Sequence, residues 1–118
     1  LVVGGTTDLG ASRFGEEPPN VERTFSGTSP EAFRILLAHQ PKTGSLTKEK
    51  FDPQLSGHTH GGHIFFMYPL LAYFNDGLVS GFYDRGERKV YVTNGSGLWN
   101  GFTMRVGVPS EITFITLE

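Results

Sequence analysis

Three of the four histidines fall within residues 56–63, where the sequence reads SGHTHGGH. Neutral imidazoles bind divalent transition metals, and the surrounding glycines let the backbone bend so that nearby rings can face one point. Residues two apart on a strand share a face, so His58 and His60 at a strand end could bind a zinc-like ion at about 2.0–2.1 Å. The stretch predicts a metal site, and the alternative is a flexible polar turn that binds nothing.

Length and composition limit what the rest of the chain can be. At 118 residues it is at most one domain, and its 16 glycines and 7 prolines favour strands joined by frequent turns. A net charge of -2 offers no basic field to a phosphate backbone, so we expect no nucleic-acid partner. The sequence has no cysteine, which excludes disulfides. Because it opens at Leu1 in a strand-like run, we interpret it as a piece of a longer protein.

Two runs of strand length each lead to histidines. Residues 34–38 end at His39, and the strand stops before Pro41 because proline cannot donate to the ladder. Residues 52–56 form the second run and enter the histidine-rich stretch. Parallel strands covered by helices bind ligands at their carboxyl ends, and the sequence predicts such an arrangement here.

The rest of the sequence predicts short elements separated by loops. Ser29, Pro30 and Glu31 have the pattern of a helix start, and Gly86 occupies the turn of the clearest hairpin. The predicted elements are a strand at 1–3, a loop at 10–28, short helices beginning at 29 and at 45, a hairpin of 79–83 with 89–93, an irregular segment at 99–109 and a last strand at 111–117.

Three separated motifs occur in a fixed order: ILLAHQP at 35–41, LSGHTHGG at 55–62 and EIT at 111–113. In this order they resemble the carboxyl-terminal half of a calcineurin-like metallophosphoesterase, and the resemblance covers most of the chain. The closing stretches GLW at 97–99, Met104 with Arg105, and PSE at 109–111 are similar to the bacterial, often membrane-associated branch of that family.

The resemblance implies a fold and a chemistry. The expected fold is α+β, the second half of a four-layer αββα sandwich, mostly β with short helices. The expected reaction is hydrolysis of a phosphodiester or phosphomonoester by a hydroxide that bridges two divalent ions of the Mn, Zn, Fe or Ni class. His39 and His58 would bind one ion, and His60 the other. Four further residues would surround the ligands or face the substrate phosphate: Gly57, Gly61, Gly62 and His63.

The other motifs of the family, of the types Asp-x-His, Gly-Asp and Gly-Asn-His, do not occur in this sequence. Those motifs supply the bridging Asp, the Asn ligand and the general-acid His. We therefore assign no catalytic residue here, and we expect the chain to be inactive without the missing amino-terminal half. Asp8 could be a site acid, but its position after a strand favours a turn residue.

Residues 65–74, directly after the histidines, are densely apolar and aromatic. They could line the approach to the site or contact a lipid or another apolar substituent of the substrate, and the alternative is packing under the sheet. The resemblance allows membrane association of a bacterial parent, while the chain itself is expected to be soluble.

Two classes of function stay open at this stage. The first is the hydrolase described above, and the second is a non-catalytic, His-rich metal-binding or assembly module that holds one structural ion on His39, His58 and His60. Half a sandwich leaves apolar faces and edges uncovered, so we also predict a homodimer. The sequence does not determine the substrate, the native metals or the compartment.

Overall fold

Five short strands form one mixed sheet in the computed structural model, which describes residues 1–99, 101 and 103–118. The strands are β1 (Val2–Gly5), β2 (Arg34–Leu37), β3 (Pro53–Ser56), β4 (Gly81–Asp84) and β5 (Lys89–Val92). Their spatial order is β1-β2-β3-β5-β4. All neighbouring pairs are parallel except the antiparallel pair of β4 and β5. The predicted hairpin and both strands that lead to histidines are confirmed.

The helices are short. They comprise α1 (Val21–Thr24), α2 (Tyr68–Phe74) and four 3-10 helices at Ala11–Phe14, Pro41–Leu46, His60–Gly62 and Phe65–Met67. This mixed sheet with a few short helices agrees with the fold expected for half of a metallophosphoesterase sandwich. Throughout the part of the chain that the structure describes, the helices fall short of what crossing a bilayer requires.

One face of the sheet is buried under α1 and the first long loop. Val21 and Phe25 pack against Leu36 and Ala38, and Phe51 completes this cluster. Burying apolar side chains of this size stabilises the fold by about 1.5–3 kcal/mol each. Burial of Arg34, Ile35 and Leu36 thereby accounts for the nearly continuous apolar run of β2.

Gln54 is a buried polar residue on this same face. Its side-chain oxygen accepts from the Gly44 amide at 3.0 Å, and its amide donates to the Pro41 carbonyl at 2.9 Å and to Ser56 Oγ at 2.8 Å. Because a buried amide without partners costs free energy, these bonds fix the loop before β3 against the strand. The loop carries the 3-10 helix Pro41–Leu46, so the predicted helix beginning at 45 is wrong in its placement.

Two other predictions for the first third of the chain are wrong. The predicted loop at 10–28 contains a 3-10 helix and α1, whose N-terminal amide at Arg23 donates to Asn20 Oδ1 at 2.7 Å. The predicted helix at Ser29 is a turn. The carbonyls of Ser29 and Thr28 instead accept hydrogen bonds from the buried guanidinium of Arg34, at 3.0 and 3.1 Å. Since β2 begins at Arg34, too few residues remain for a helix.

The opposite face of the sheet is apolar and largely uncovered. Val3, Leu37 and Phe82 are 56%, 43% and 62% exposed on it. Ile115 and Leu117 from the end of the chain line a groove of about 470 Å³ along this face. The face therefore has the composition of a protein interior without its covering layer.

The predicted last strand at 111–117 is wrong. No ladder forms there, and Ile112 and Phe114 are each 93% exposed. The segment is fixed by polar contacts instead, because the Glu111 carboxylate accepts from the Tyr91 hydroxyl and the Glu111 amide donates to the Gly95 carbonyl. The described part of 99–109 is irregular as predicted, whereas Asn100 and Phe102 in that prediction lie outside the described residues.

Substitution of Gly4 tests the packing of α1 against β1. A Cβ at Gly4 would lie 2.5 Å from Thr24 Cγ2 and 2.7 Å from Phe25 Cε1, whereas one at Gly5, on the other face of β1, would meet nothing within 4 Å. We expect Gly4→Ala to lower the free energy of unfolding by about 1–3 kcal/mol through overpacking. Urea unfolding measures the change, with Gly5→Ala as the control. Equal effects of both substitutions would contradict the packing of α1 on β1.

Candidate metal centre

The carboxyl ends of β2 and β3 place two histidines side by side. Leu37 pairs with Leu55, and the Gly57 amide donates to the His39 carbonyl at 3.1 Å, which extends the parallel pairing beyond the strands. His39 and His58 each follow their strand by two residues, so they reach the same edge of the sheet. His39 Nε2 and His58 Nδ1 lie 3.3 Å apart, with the ring planes at 77°.

This separation fits two ligands of one ion. Two imidazole nitrogens at about 2.0–2.1 Å from a tetrahedral ion are separated by roughly 3.3 Å. A direct hydrogen bond between the rings is the other arrangement that this distance allows, and it requires one ring to donate and the other to accept. The donor set is thus suited to a divalent transition metal, with two nitrogens already at a suitable spacing.

The other two histidines form a separate pair. The rings of His60 and His63 stack with centroids 4.6 Å apart and an interplanar angle of 28°. His60 Nδ1 is buried and has no hydrogen-bond partner among the described residues. The structure therefore groups the histidines as two pairs, and within residues 1–99, 101 and 103–118 no three His, Asp or Glu side chains converge as ligands of one ion.

The backbone of the histidine-rich turn adopts an unusual conformation. His58, His60 and His63 have φ values of 69°, 51° and 57°. Left-handed conformations cost a non-glycine residue of order 1–3 kcal/mol and are concentrated at functional sites. The turn thus holds three imidazoles in positions that a relaxed strand or helix would not provide.

Gly61 is required at the centre of this turn. Its φ is 62°, and a Cβ there would lie 2.6 Å from Val108 Cγ1 and would also clash with the Asn94 side chain. Gly62 has a φ of 96°, which also favours glycine. Gly57 differs, since it has an ordinary φ and an added Cβ would meet only Thr93 Cγ2 at 3.9 Å. Its contribution is the amide that pairs with His39.

Burial favours the neutral form of two of the imidazoles. It lowers the pKa of His58 below its ordinary value of 6.5, and the nearby His39 lowers it further. The pKa of His60 is also lowered, first by burial and then by the charges of His63 and Arg105. Only a neutral imidazole has a lone pair to give to a metal, so both side chains are ready to bind near neutral pH.

Asp8 lies beside the His39 and His58 pair. Its Oδ1 accepts from the Gly10 amide at 2.7 Å, as expected for a turn residue, and from the Gln40 side chain at 3.0 Å. Burial raises the pKa of Asp8, but these two hydrogen bonds and the charges of His39 and His58 lower it overall. Asp8 is thus an ionised carboxylate close to the imidazoles, in addition to forming the turn.

Sequence reasoning missed two residues that support the site. Arg105 donates to the carbonyl of His60, and Gln40 holds Asp8 next to the first imidazole pair. Gln40 follows a candidate ligand directly, which is a signal that could have identified it. Arg105 lies 45 residues from His60 in an irregular segment, so no local pattern connects the two.

An exposed aromatic surface adjoins the turn. None of the residues of α2 or of the 3-10 helix before it is buried, and Phe66 and Tyr73 are 65% and 82% exposed. Ile64 forms a bridge to Val106, which joins this surface to the segment that follows Arg105. Packing of residues 65–74 under the sheet is therefore not observed.

Similar proteins identify the family. An uncharacterized metallophosphoesterase of Campylobacter jejuni is 43% identical over 119 residues, which cover 98% of this chain and 31% of the relative. A phosphodiesterase of Escherichia coli is 32% identical, over 96% of this chain and 40% of the relative. The chain is homologous to the carboxyl-terminal portion of metallophosphoesterases. The family indicated by the three motifs is thus confirmed. A transmembrane protein with a metallophosphoesterase domain from Danio rerio is 36% identical, over 100% of this chain and 28% of the relative.

The chain spans about a third of the length of the curated relatives it matches. No family model matches it, and no solved structure matches it significantly. Family membership implies divalent metal cofactors, without identifying the metals.

The left-handed conformation of His58 leads to a prediction about stability. Glycine tolerates a φ of 69°, whereas alanine carries the same steric cost as histidine. We expect His58→Gly to be more stable than His58→Ala by about 1 kcal/mol in chemical unfolding. The control is His39, whose φ is not positive, where glycine should be the less stable of the two replacements. A less stable glycine variant at position 58 would contradict the backbone strain.

Proposed function

We propose that this chain supplies the histidine ligands of a metal-dependent phosphoesterase with two ions. His39 and His58 bind one ion, and His60 binds the other. The observation that carries the proposal is the 3.3 Å separation of His39 Nε2 and His58 Nδ1 at the carboxyl ends of two parallel strands. The buried Nδ1 of His60 has no partner among the residues that the structure describes, which supports the second assignment, since a buried nitrogen without a partner is costly unless it gains one.

The side chains of this region have separable roles. His39, His58 and His60 give neutral nitrogens, which leave most of the positive charge of the ions available to the substrate. Gly61 and Gly62 allow the positive φ values of the turn, and at Gly61 a side chain would also clash with Val108 and Asn94. His63 packs on the ring of His60 and limits how that ring can rotate. When two divalent ions are bound, they activate water and neutralise charge on the phosphoryl oxygens.

The substrate class that we propose is a phosphodiester or phosphomonoester. The relative from Escherichia coli, which is named a phosphodiesterase, supports ester hydrolysis as the reaction. The bridging Asp, the Asn ligand and the general-acid His have no counterpart in this sequence. We place them in the part of the longer relatives that precedes the aligned region, so we expect no turnover from this chain alone.

Membrane association of a longer parent stays a prediction. Two relatives, from Danio rerio and Bos taurus, are named transmembrane proteins with a metallophosphoesterase domain. The exposed aromatic surface next to the histidine turn has no charged residue between Ile64 and Asn75. Such a surface is suited to contact with a lipid or with an apolar substituent of the substrate.

Metal titration tests the ligand assignment. We expect weak binding of Zn²⁺, Mn²⁺ or Ni²⁺ in calorimetry, because three imidazoles without a bridging carboxylate make an incomplete shell. His39→Ala and His58→Ala should each remove the ion that these two residues share, and His60→Ala should affect only the other. Arg88→Gln, which removes a side-chain contact with the Thr47 carbonyl and changes none of the four histidines, is the control. Undiminished binding by His58→Ala would refute the assignment.

Dependence on pH and on the missing partner extends this test. The pKa values of His58 and His60 are lowered, so protonation should displace the metal only as the pH falls below about 6.5.

A hydrolysis assay with bis(p-nitrophenyl) phosphate and excess Mn²⁺ tests whether the chain alone is active. We expect no hydrolysis above the level that His58→Ala also shows. Metal-dependent hydrolysis by the chain alone would show that catalytic groups lie within it, and a single bound ion held by all three histidines would favour the non-catalytic module.

The uncovered sheet face supports the predicted homodimer. Val3, Leu37 and Phe82 expose a continuous apolar face, and the groove beside them is lined by Ile35 and Leu55. In a longer protein, the preceding part of the chain is a natural covering layer for this face. We propose that, in its absence, a second copy covers the face with two-fold symmetry and buries at least about 1,200 Å² in total.

Light scattering distinguishes the two states. We expect a particle of about twice the 13.0 kDa chain mass at micromolar concentration. Phe82→Lys places a charge on the apolar face and should yield monomers, whereas Phe114→Lys, at a side chain that is already 93% exposed, should not. A monodisperse wild-type monomer would refute the dimer.

A further inference from the structure

The side chain of Arg105 connects the turn that carries His60 to a segment far along the chain. Its Nη1 donates to the His60 carbonyl at 3.2 Å. Its Nη2 donates to the carbonyls of Asn94 and Gly97 at 2.8 and 2.7 Å, and to that of Gly95 at 3.2 Å. One guanidinium thus joins the histidine turn to the glycine loop that follows β5.

We propose that Arg105 is a positioning residue that fixes the direction of the His60 imidazole. The inference rests on the proposed function, in which His60 is a metal ligand. The left-handed φ of 51° at His60 is intrinsically unfavourable, so this conformation persists only where surrounding contacts enforce it. A hydrogen bond to the carbonyl of that same residue restricts the peptide plane and with it the Cα–Cβ direction of the ring.

The neighbouring residue reinforces the effect. The Val106 amide donates to the His63 carbonyl at 2.8 Å, and the Phe65 amide donates to the Val106 carbonyl at 3.1 Å. The segment 105–106 therefore holds both ends of the turn between His60 and His63, one through a side chain and one through the backbone. Asn94, whose carbonyl also accepts from Arg105, lies against Gly61 at the centre of that turn.

The geometry of the contacts requires an arginine. A guanidinium presents five donors in a rigid plane, so its two terminal nitrogens can serve carbonyls of two separate segments at once. A lysine ammonium would keep the charge but is one donor centre and could not connect both segments in the same way. Among the described residues Arg105 forms no ion pair, so carbonyl dipoles are what balance its charge. That charge also lies close enough to His60 to lower its pKa.

The effect of Arg105 should be confined to one histidine pair. His39 and His58 are positioned by β2, β3 and the Gly57 amide, and none of the contacts of Arg105 involves them. A loss of general stability would disturb all the imidazoles alike. Loss of the Arg105 hydrogen bonds would instead move the His60 ring and leave the His39 and His58 pair unchanged.

The test compares Arg105→Lys and Arg105→Gln with the wild-type chain by NMR of ¹⁵N-labelled imidazoles without metal. We expect the ring signals of His60 to shift or broaden in both variants, while those of His39 and His58 stay at their wild-type positions. Arg88→Gln is the matched control, because Arg88 also donates to the backbone carbonyl of a residue far along the chain from itself, Thr47. It should leave every imidazole signal unchanged.

Zinc titration provides the second measurement. In Arg105→Lys we expect the affinity for the ion that depends on His60 to fall by about 10–100-fold, with binding at His39 and His58 retained. Wild-type His60 ring signals in folded Arg105→Lys would overturn the proposal. If Arg105→Gln does not fold, Arg105→Lys alone decides. If the His60 signals change in the variants but His60 of the wild type binds no zinc, the positioning role of Arg105 is supported and the proposed function is refuted.

Discussion

Parallel pairing of β2 with β3 is the interaction on which the site depends. The ladder continues beyond both strands through the Gly57 amide and the His39 carbonyl, so the two chain segments leave the sheet together. His39 and His58 are 19 residues apart in sequence, yet this register brings their ring nitrogens to 3.3 Å. A shift of register by one residue would send one of the imidazoles to the other side of the sheet. Burial of Leu36 and Gln54 on one face makes such a shift costly.

A second constraint is the cost of the histidine-rich turn. Three left-handed histidines and a glycine that cannot carry a side chain are held within six residues, 58–63. Their stability comes from outside the turn, through Arg105, Val106 and Asn94, which all lie far along the chain. Local strain is thus balanced by tertiary hydrogen bonds, an arrangement common where ligand directions must be fixed. The β2–β3 ladder positions the pair of His39 and His58, whereas the Arg105 hydrogen bonds position the pair of His60 and His63.

The two faces of the sheet differ in how they are covered. On one face α1, the loop of Pro41–Leu46 and the residues before β4 form a dense interior, with Val79 and Val92 fully buried. On the other face apolar side chains remain exposed beside a groove whose lining includes Ile115 and Leu117. The apolar side chains of the sheet are thus buried on one face and largely exposed to solvent on the other.

The sequence by itself determined the family, the strand runs at β2, β3 and the hairpin of β4 with β5, and which histidines are candidate ligands. These features are local, because apolar runs, turn residues and motif order are readable without distant contacts. It did not determine that the imidazoles form two pairs, that Asp8 lies beside one of them, or that residues 111–117 form no strand. Each of those depends on partners far along the chain, such as Gln40 for Asp8 and Tyr91 for Glu111. Side-chain direction and strand pairing are settled by such long-range contacts, which only the tertiary structure provides.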